Sequence, residues 1–300
     1  KISNKSASSL KELTELSAMY DMIVVGSDQL WRPDNIFPKY YTLSWVPDDI
    51  PKVSYATSFG VAELDRSYQS MARVFLNRLS AISVRESSGC NIVKELTGKL
   101  PCVVCDPVFL LTKNQWRMFS DTSRCPKQKY IFTYFLGEAR EGRKFAEKLS
   151  AVAGLPVLGV VHNDSYIASD ENIDDPITAC SPNAFVGLIL NAEYICTDSF
   201  HATAFSTIFN KNFFVFNRSK SQKHGTNSRL ESFLKMTGLE NRLISSSGEA
   251  HDIVLHDIDY ERVNRKIVSY IKKSCDFIEK EIIQGASCHV QEKDTASQLD

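Results

Sequence analysis

Short apolar segments alternate with amphipathic segments along most of the chain, and this alternation is what most constrains its fold. The apolar segments 21–26, 52–56 and 82–85 have the length of strands, and residues with helical spacing follow the second and third of them. Strands that alternate with helices form parallel sheets with helices on both faces. The first part of the chain is therefore predicted to be an α/β domain.

The same alternation restarts after a polar stretch at 111–128, which we interpret as a linker. Strands are predicted at 130–135, 156–161, 194–196 and 213–216, and helices between them at 139–152, 182–191 and 200–209. Ser181 and Pro182 suit the start of the second of these helices, as N-cap and first helical residue. Two successive Rossmann-like halves follow from the pattern.

Chain length supports this division into two domains. The chain has 300 residues, and single cores usually divide at ~250–300 residues. Because the chain opens on an amphipathic helix, we expect the N-terminal domain to lack its first strand. The predicted parts are an N-terminal domain, a C-terminal domain, a helix that packs back and a polar tail, at 1–120, 129–257, 258–284 and 285–300.

Composition excludes several classes of function. The formal net charge of -1 gives no reason to expect nucleic-acid binding, and no apolar run has the ~18 residues of a membrane span. The cysteines are spread through apolar runs, which suits a reducing cytoplasm. Cys102 and Cys105 are three residues apart on a predicted strand and so point to opposite faces. We therefore expect no metal site and no bound cofactor.

One long segment lacks acidic residues. From Ser199 to Leu230 there is no Asp or Glu, which indicates a local anion site in a nearly neutral chain. Asp198 ends a strand and can cap the next helix, so His201 would lie in the first turn, where free amides favour an anion. His201 could then bind phosphate and transfer a proton. Alternatively, Asp198 only caps the helix and His201 packs against the sheet.

A second polar loop lies within this acid-free segment. It carries Lys220 and Lys223 and leads into another helix, which Asn227 or Ser228 would cap. Arg229 follows at the start of that helix. The free amides and the cations make this loop a second candidate for anion binding.

Loops that follow strands of the N-terminal domain carry further candidates. Gly26, which Ser27 follows, would let the backbone approach a ligand, and Asp28 could act as a base or simply cap a helical turn. Arg85 stands directly after a strand, where its planar guanidinium suits a carboxylate or phosphate. Pairing of Arg85 with Glu86 or another neighbouring carboxylate is the alternative.

Several motifs occur in a characteristic order. They are Val-Gly-Ser-Asp-Gln-Leu-Trp at 25–31, Tyr-Ala-Thr-Ser-Phe-Gly at 55–60, Ile-Ser-Val-Arg-Glu at 82–86, Cys-Asp-Pro at 105–107, Asn-Ala-Glu-Tyr-Ile-Cys-Thr-Asp-Ser-Phe-His-Ala at 191–202 and Asn-Ser-Arg-Leu-Glu at 227–231. In this order they resemble the polysaccharide pyruvyl transferase family, over about residues 21–237. The resemblance implies a GT-B-like fold, in which two Rossmann-like domains face a cleft.

The same resemblance implies an activity. Members of the family transfer the pyruvyl group of phosphoenolpyruvate, the donor substrate, to sugar hydroxyls of a surface glycan as a ketal. On this basis His201 is the candidate proton donor or phosphate ligand, Asp28 is a possible base, and Arg85 and Arg229 are anion clamps. Lys220 and Lys223 would contact the phosphate, and Ser27, Ser228, Asn227, Asp198, Ser199 and Gly26 would line the substrate sites.

The resemblance also implies partners and leaves two alternatives. The acceptor would be a glycan or a lipid-linked oligosaccharide, which would bring a cytoplasmic enzyme near the membrane, and homo-oligomers are compatible with it. Many relatives have Arg-Leu-His where this chain has Ser199-Phe200-His201, so an expected cation is absent. The alternatives are a GT-B nucleotide-sugar glycosyltransferase and an inactive pyruvyltransferase-like binding protein.

Overall fold

A computed structural model describes residues 5–137, 139–161, 175–177, 179–217, 228–244, 257–287 and 289. The chain divides into two compact units. The first unit comprises Lys1–Pro107 and Val268–Asp300, and the second comprises Val108–Ile267. Each unit is built around its own parallel sheet.

The first unit contains a four-stranded sheet in the order β1-β2-β3-β4, and all its neighbouring strands are parallel. Every residue of β2 is buried, as expected for a strand covered on both faces of the sheet. Because the strands are parallel, the loops that follow β1, β2 and β3 leave at the same edge. The strands are β1 (Ile23–Val25), β2 (Lys52–Thr57), β3 (Ala81–Val84) and β4 (Cys102–Val103).

One helix of the first unit precedes its first strand and the others follow strands, and the core lies between the helices and the sheet. Trp31 is completely buried there, with its ring centre 5.3 Å from that of Phe59 and 5.4 Å from that of Phe75. Trp31 therefore belongs to the core. The helices are α1 (Leu10–Ser17), α2 (Pro33–Ile36), α3 (Arg66–Asn77) and α4 (Ser87–Thr97).

The second unit contains a six-stranded parallel sheet in the order β10-β9-β8-β5-β6-β7. The order reverses between β5 and β8, and in such sheets ligands bind outside the carboxyl ends of the strands at the point of reversal. The strands are β5 (Ile131–Tyr134), β6 (Val157–Val160), β7 (Asp175–Ile177), β8 (Tyr194–Thr197), β9 (Asn212–Phe216) and β10 (Leu243–Ile244).

The polar stretch at 111–128 was predicted to be a linker, but this prediction is wrong. The stretch contains the first helix of the second unit. Thr112 and Gln115 form a capping box, with the backbone N–H of each donating to the side chain of the other. Trp116 then packs against Phe205, with ring centres 4.8 Å apart. The boundary consequently falls after Pro107, earlier than the predicted end of the first domain.

Except for α5, the remaining helices lie where the sequence pattern predicted them. They are α5 (Lys113–Phe119), α6 (Arg140–Ala153), α7 (Pro182–Asn191), α8 (Phe200–Ile208), α9 (Ser228–Thr237) and α10 (Tyr260–Phe277), which continues as a π-helix (Ile278–Gln284). No helix in the described part of the chain is long and apolar enough to cross a membrane. Most of the predicted polar tail lies outside the described residues.

Candidate active site

The loop after β1 depends on Gly26. Its φ of 137° lies in a region that favours glycine, and a Cβ there would stand 1.9 Å from the carbonyl oxygen of Tyr55. The absence of a side chain therefore lets this loop lie directly against β2. The next residues, Ser27 and Asp28, follow at the carboxyl end of β1, as the sequence predicted.

Asp28 is held by its backbone and its side chain. Its φ is 68°, and its carbonyl oxygen accepts hydrogen bonds of 2.8 Å from the N–H groups of Leu30 and Ser58. Its carboxylate accepts a 2.8 Å charged hydrogen bond from Arg85 and remains 53% exposed. Asp28 thus presents a fixed, solvent-accessible carboxylate.

Arg85 joins two carboxylates. One terminal nitrogen binds Asp28 and the other binds Asp106, which also accepts a 3.1 Å hydrogen bond from the Ser27 hydroxyl. The side chains of Arg85 and Asp106 are only 1% and 2% exposed. Burial opposes the guanidinium charge, but Asp106 and Asp28 outweigh it and raise the pKa of Arg85. The role of Arg85 as a clamp for a substrate anion stays a prediction.

Glu86 fixes the loop that follows β2. Its carboxylate is completely buried and accepts hydrogen bonds from the Ser58 hydroxyl at 2.8 Å and the Phe59 N–H at 3.1 Å. The motifs at 55–60 and 82–86 are therefore parts of one hydrogen-bonded structure. The carboxylates that pair with Arg85 are Asp28 and Asp106.

Asp106 was not predicted as a site residue, although its motif was identified. Its backbone is anchored by α10, where the Ser274 hydroxyl accepts a 2.8 Å hydrogen bond from the Cys105 N–H. The Tyr270 hydroxyl donates to the carbonyl oxygen of Val104 at 2.6 Å, and the carbonyl oxygen of Arg85 lies 3.4 Å from the same hydroxyl. The position of Asp106 after a predicted strand could have indicated a site residue. Its partner Arg85, however, lies far from it in the sequence, so the pair could not be predicted.

At the point of reversal in the second sheet, Ser199 caps α8. Its hydroxyl accepts a 3.4 Å hydrogen bond from the Ala202 N–H. The prediction that Asp198 caps this helix is wrong. The buried Asp198 carboxylate accepts the N–H groups of Leu136 at 2.7 Å and Gly137 at 3.0 Å. It thereby ties the loop after β8 to the loop after β5.

His201 lies in the first turn of α8, as predicted. Its half-buried side chain, together with Ser199, lines a cavity of about 610 Å³ at the carboxyl ends of β5 and β6. The ring of the preceding Phe200 meets that of His201 edge-on, with centres 5.6 Å apart. His201 therefore faces a space large enough for a small ligand.

Arg229 lies beside the same helix start. It is the second residue of α9, is buried, and places its guanidinium 5.8 Å from the centre of the Phe200 ring. The structure thus brings Arg229 and the first turn of α8 together. The first residue of α9 is Ser228, and the prediction that Asn227 or Ser228 caps this helix stays a prediction. The remaining predicted residues of this loop, Lys220, Lys223 and Asn227, lie outside the described residues.

A further cation near Asp198, Arg143, was not among the predicted site residues. It lies on α6, with its guanidinium 5.3 Å from the centre of the Phe135 ring. Burial lowers the pKa of Arg143, and the negative charge of Asp198 partly offsets this effect. An arginine in an amphipathic helix has no distinguishing pattern, so only the fold reveals that it lies near Asp198.

A metal site is not found in the described parts of the chain, where no three His, Cys, Asp or Glu side chains lie close enough to hold an ion.

Comparison with known proteins defines the family. A sequence model of the polysaccharide pyruvyl transferase family matches residues 1–220. The chain belongs to this family, and it is accordingly a transferase of polysaccharide biosynthesis. No curated protein matches it.

Solved structures define the fold. A UDP-N-acetylglucosamine 2-epimerase described as putative, from Listeria monocytogenes, has 9% identity and a TM-score of 0.53, with 87% of this chain and 71% of that chain covered. The S. aureus protein MnaA, solved with UDP, has 12% identity and a TM-score of 0.53, with coverage of 92% and 82%. Both are GT-B enzymes, and at such identities the likeness concerns the fold alone. The predicted class, parallel sheets with helices on both faces, is confirmed.

Proposed function

We propose that this transferase uses phosphoenolpyruvate as its donor and forms a pyruvyl ketal on two hydroxyls of a glycan. The family membership supports pyruvyl transfer, and the observation that carries the proposal is the first turn of α8. There His201 faces a cavity while Arg229 lies against the adjacent Phe200. A proton carrier beside a cation is what a phosphorylated enol requires.

The proposed reaction has a defined balance. One acceptor hydroxyl adds to the carbon that bears the phosphate, and the methylene carbon gains a proton to become a methyl group. The phosphate then leaves with its bonding electrons, and the second hydroxyl bonds to the same carbon. Of the two hydroxyl protons, one balances the proton on the methyl group and the other leaves with the phosphate.

Each proposed role uses a described side chain. His201 donates the proton to the methylene carbon or binds the phosphate, and Arg229 neutralises the negative charge of the donor. Asp28 of the first unit is accessible and held by Arg85, and its role as a base for an acceptor hydroxyl stays a prediction. Ser199 caps α8 where many relatives have arginine, and we propose that Arg143 and Arg229 supply the missing positive charge.

Compartment and assembly remain parts of the proposal. Phosphoenolpyruvate is a metabolite of the cytoplasm, so we place the reaction there, with the enzyme near the membrane when its acceptor is lipid-linked. Homo-oligomers are compatible with this arrangement.

Calorimetric titration and a phosphate-release assay of the full chain test the proposal. We expect phosphoenolpyruvate to bind and UDP, GDP and CMP sugars not to bind, with phosphate released only when a glycan acceptor is present. Binding of a nucleotide sugar instead would identify a glycosyltransferase. If neither class of donor binds, the chain is a binding protein without this activity.

A further inference from the structure

The cavity beside His201 has strongly aromatic walls. Trp116 and Phe119 of α5, Phe185 of α7 and Phe205 of α8 line it, and Tyr134 lies at the end of β5. The cavity holds about 610 Å³, which is within the range of small-ligand sites. All these residues belong to the second unit.

Contacts among these rings hold the walls in place. The ring of Trp116 meets those of Phe205 and Phe119 edge-on, with centres 4.8 and 5.6 Å apart, and its indole N–H donates to the Val108 carbonyl at 2.8 Å. Tyr134 and Phe185 also meet edge-on, with centres 4.8 Å apart. Because these rings are braced by one another, the cavity is pre-formed rather than assembled around its ligand.

The charge of the cavity argues against an anion. Its described lining contains no Asp, Glu, Lys or Arg, and His201 and Ser199 provide polar groups at one wall. Away from the wall formed by Ser199 and His201 at the start of α8, a carboxylate or phosphate would lose its water without gaining a countercharge, which is unfavourable. Two described cations of this region, Arg229 and Arg143, pack instead on Phe200 and Phe135. We therefore place the phosphorylated donor next to Arg229, whereas the cavity suits an uncharged ligand.

We propose that this cavity binds the acceptor, as an uncharged sugar ring with its reacting hydroxyls toward His201. A sugar ring has faces of C–H groups, which aromatic walls accommodate, and a rim of hydroxyls, which require polar partners. The cavity offers both, with aromatic walls and polar groups at one end. The inference rests on the proposed function, because the acceptor is defined by that reaction.

Two neighbouring residues of α5 provide a matched pair of variants. Phe119 lines the cavity and is 49% exposed, whereas Met118 is 88% exposed and is not among the lining residues. Neither Phe119→Ala nor Met118→Ala should prevent folding. Binding of methyl glycosides of glucose, galactose and N-acetylmannosamine, and of UDP, is measured by saturation-transfer NMR and calorimetry without donor.

We expect Phe119→Ala to weaken binding of the preferred glycoside by about tenfold, and Met118→Ala to leave it unchanged. Equal glycoside affinity in all three proteins would overturn the inference, as would failure of every glycoside to bind the wild-type enzyme. Loss of UDP binding in Phe119→Ala would assign the cavity to a nucleotide and would also contradict it.

If the proposed function is wrong but the cavity does bind a sugar, the same measurements give a different result. In that case phosphoenolpyruvate is neither bound nor consumed, while glycoside binding still depends on Phe119. Conversely, if phosphoenolpyruvate is consumed at an unchanged acceptor KM in Phe119→Ala, the proposed function stands and the acceptor site lies elsewhere.

Discussion

The buried pair formed by Arg85 and Asp106 gives the sharpest prediction about stability. Replacement of Asp106 by alanine leaves the Arg85 guanidinium, 1% exposed, with one carboxylate fewer. Removal of one partner from a buried ion pair costs about 3–5 kcal/mol. Because Asp28 still binds Arg85, we expect a loss of about 3 kcal/mol in the free energy of unfolding, at the lower end of that range.

The control is an ion pair of similar geometry at the surface. Arg78 and Asp48 are 2.8 Å apart, but the Asp48 side chain is 84% exposed, so water can replace its contact. Urea unfolding of the wild-type protein, Asp106→Ala and Asp48→Ala, followed by circular dichroism, compares the two pairs. If Asp106→Ala is as mild as Asp48→Ala, the buried network does not stabilise the first unit and our reasoning is refuted.

Three further predictions concern single residues. His201→Ala should lower kcat by roughly 100-fold or more in the phosphate-release assay, and unchanged turnover would exclude His201 as the acid. Gly26→Ala should destabilise the protein in urea far more than Gly98→Ala, because a Cβ at Gly26 would overlap the Tyr55 carbonyl whereas a Cβ at Gly98 would meet no atom within 4 Å. Equal losses would contradict this. Burial raises the pKa of the Cys196 thiol, so this thiol should not react in the folded protein. After treatment with iodoacetamide at pH 8, mass spectrometry should find the exposed Cys275 modified and Cys196 unmodified. Cys196 should become modified only when urea is added.

Local sequence patterns predicted most of the fold. Apolar segments and helical spacing placed β5, β8 and α8 within a residue or two, because strand and helix periodicities are properties of adjacent residues. The helix α9 follows the polar loop that was predicted to lead into a helix. The helix α5 was missed because a polar segment resembled a linker, and its capping box was not recognised.

Contacts between distant residues could not be predicted from these patterns. Asp198 has the position of a cap, but its carboxylate binds backbone groups some sixty residues earlier in the chain, and Ser199 caps the helix. Asp106 and Arg85 meet only because β3 and β4 are neighbours in the sheet. Which of several suitable side chains forms a contact is decided by tertiary packing.

Transfer of the pyruvyl carbons to a glycan tests the central claim most directly. The full chain is incubated with phosphoenolpyruvate labelled with ¹³C at the phosphate-bearing carbon and with glycan acceptors, and the products are followed by ¹³C NMR. We predict that the enol carbon signal is replaced by that of a ketal carbon attached to the glycan, as phosphate is released. An enol signal that persists with every acceptor, while a nucleotide sugar is consumed, would contradict the proposed function.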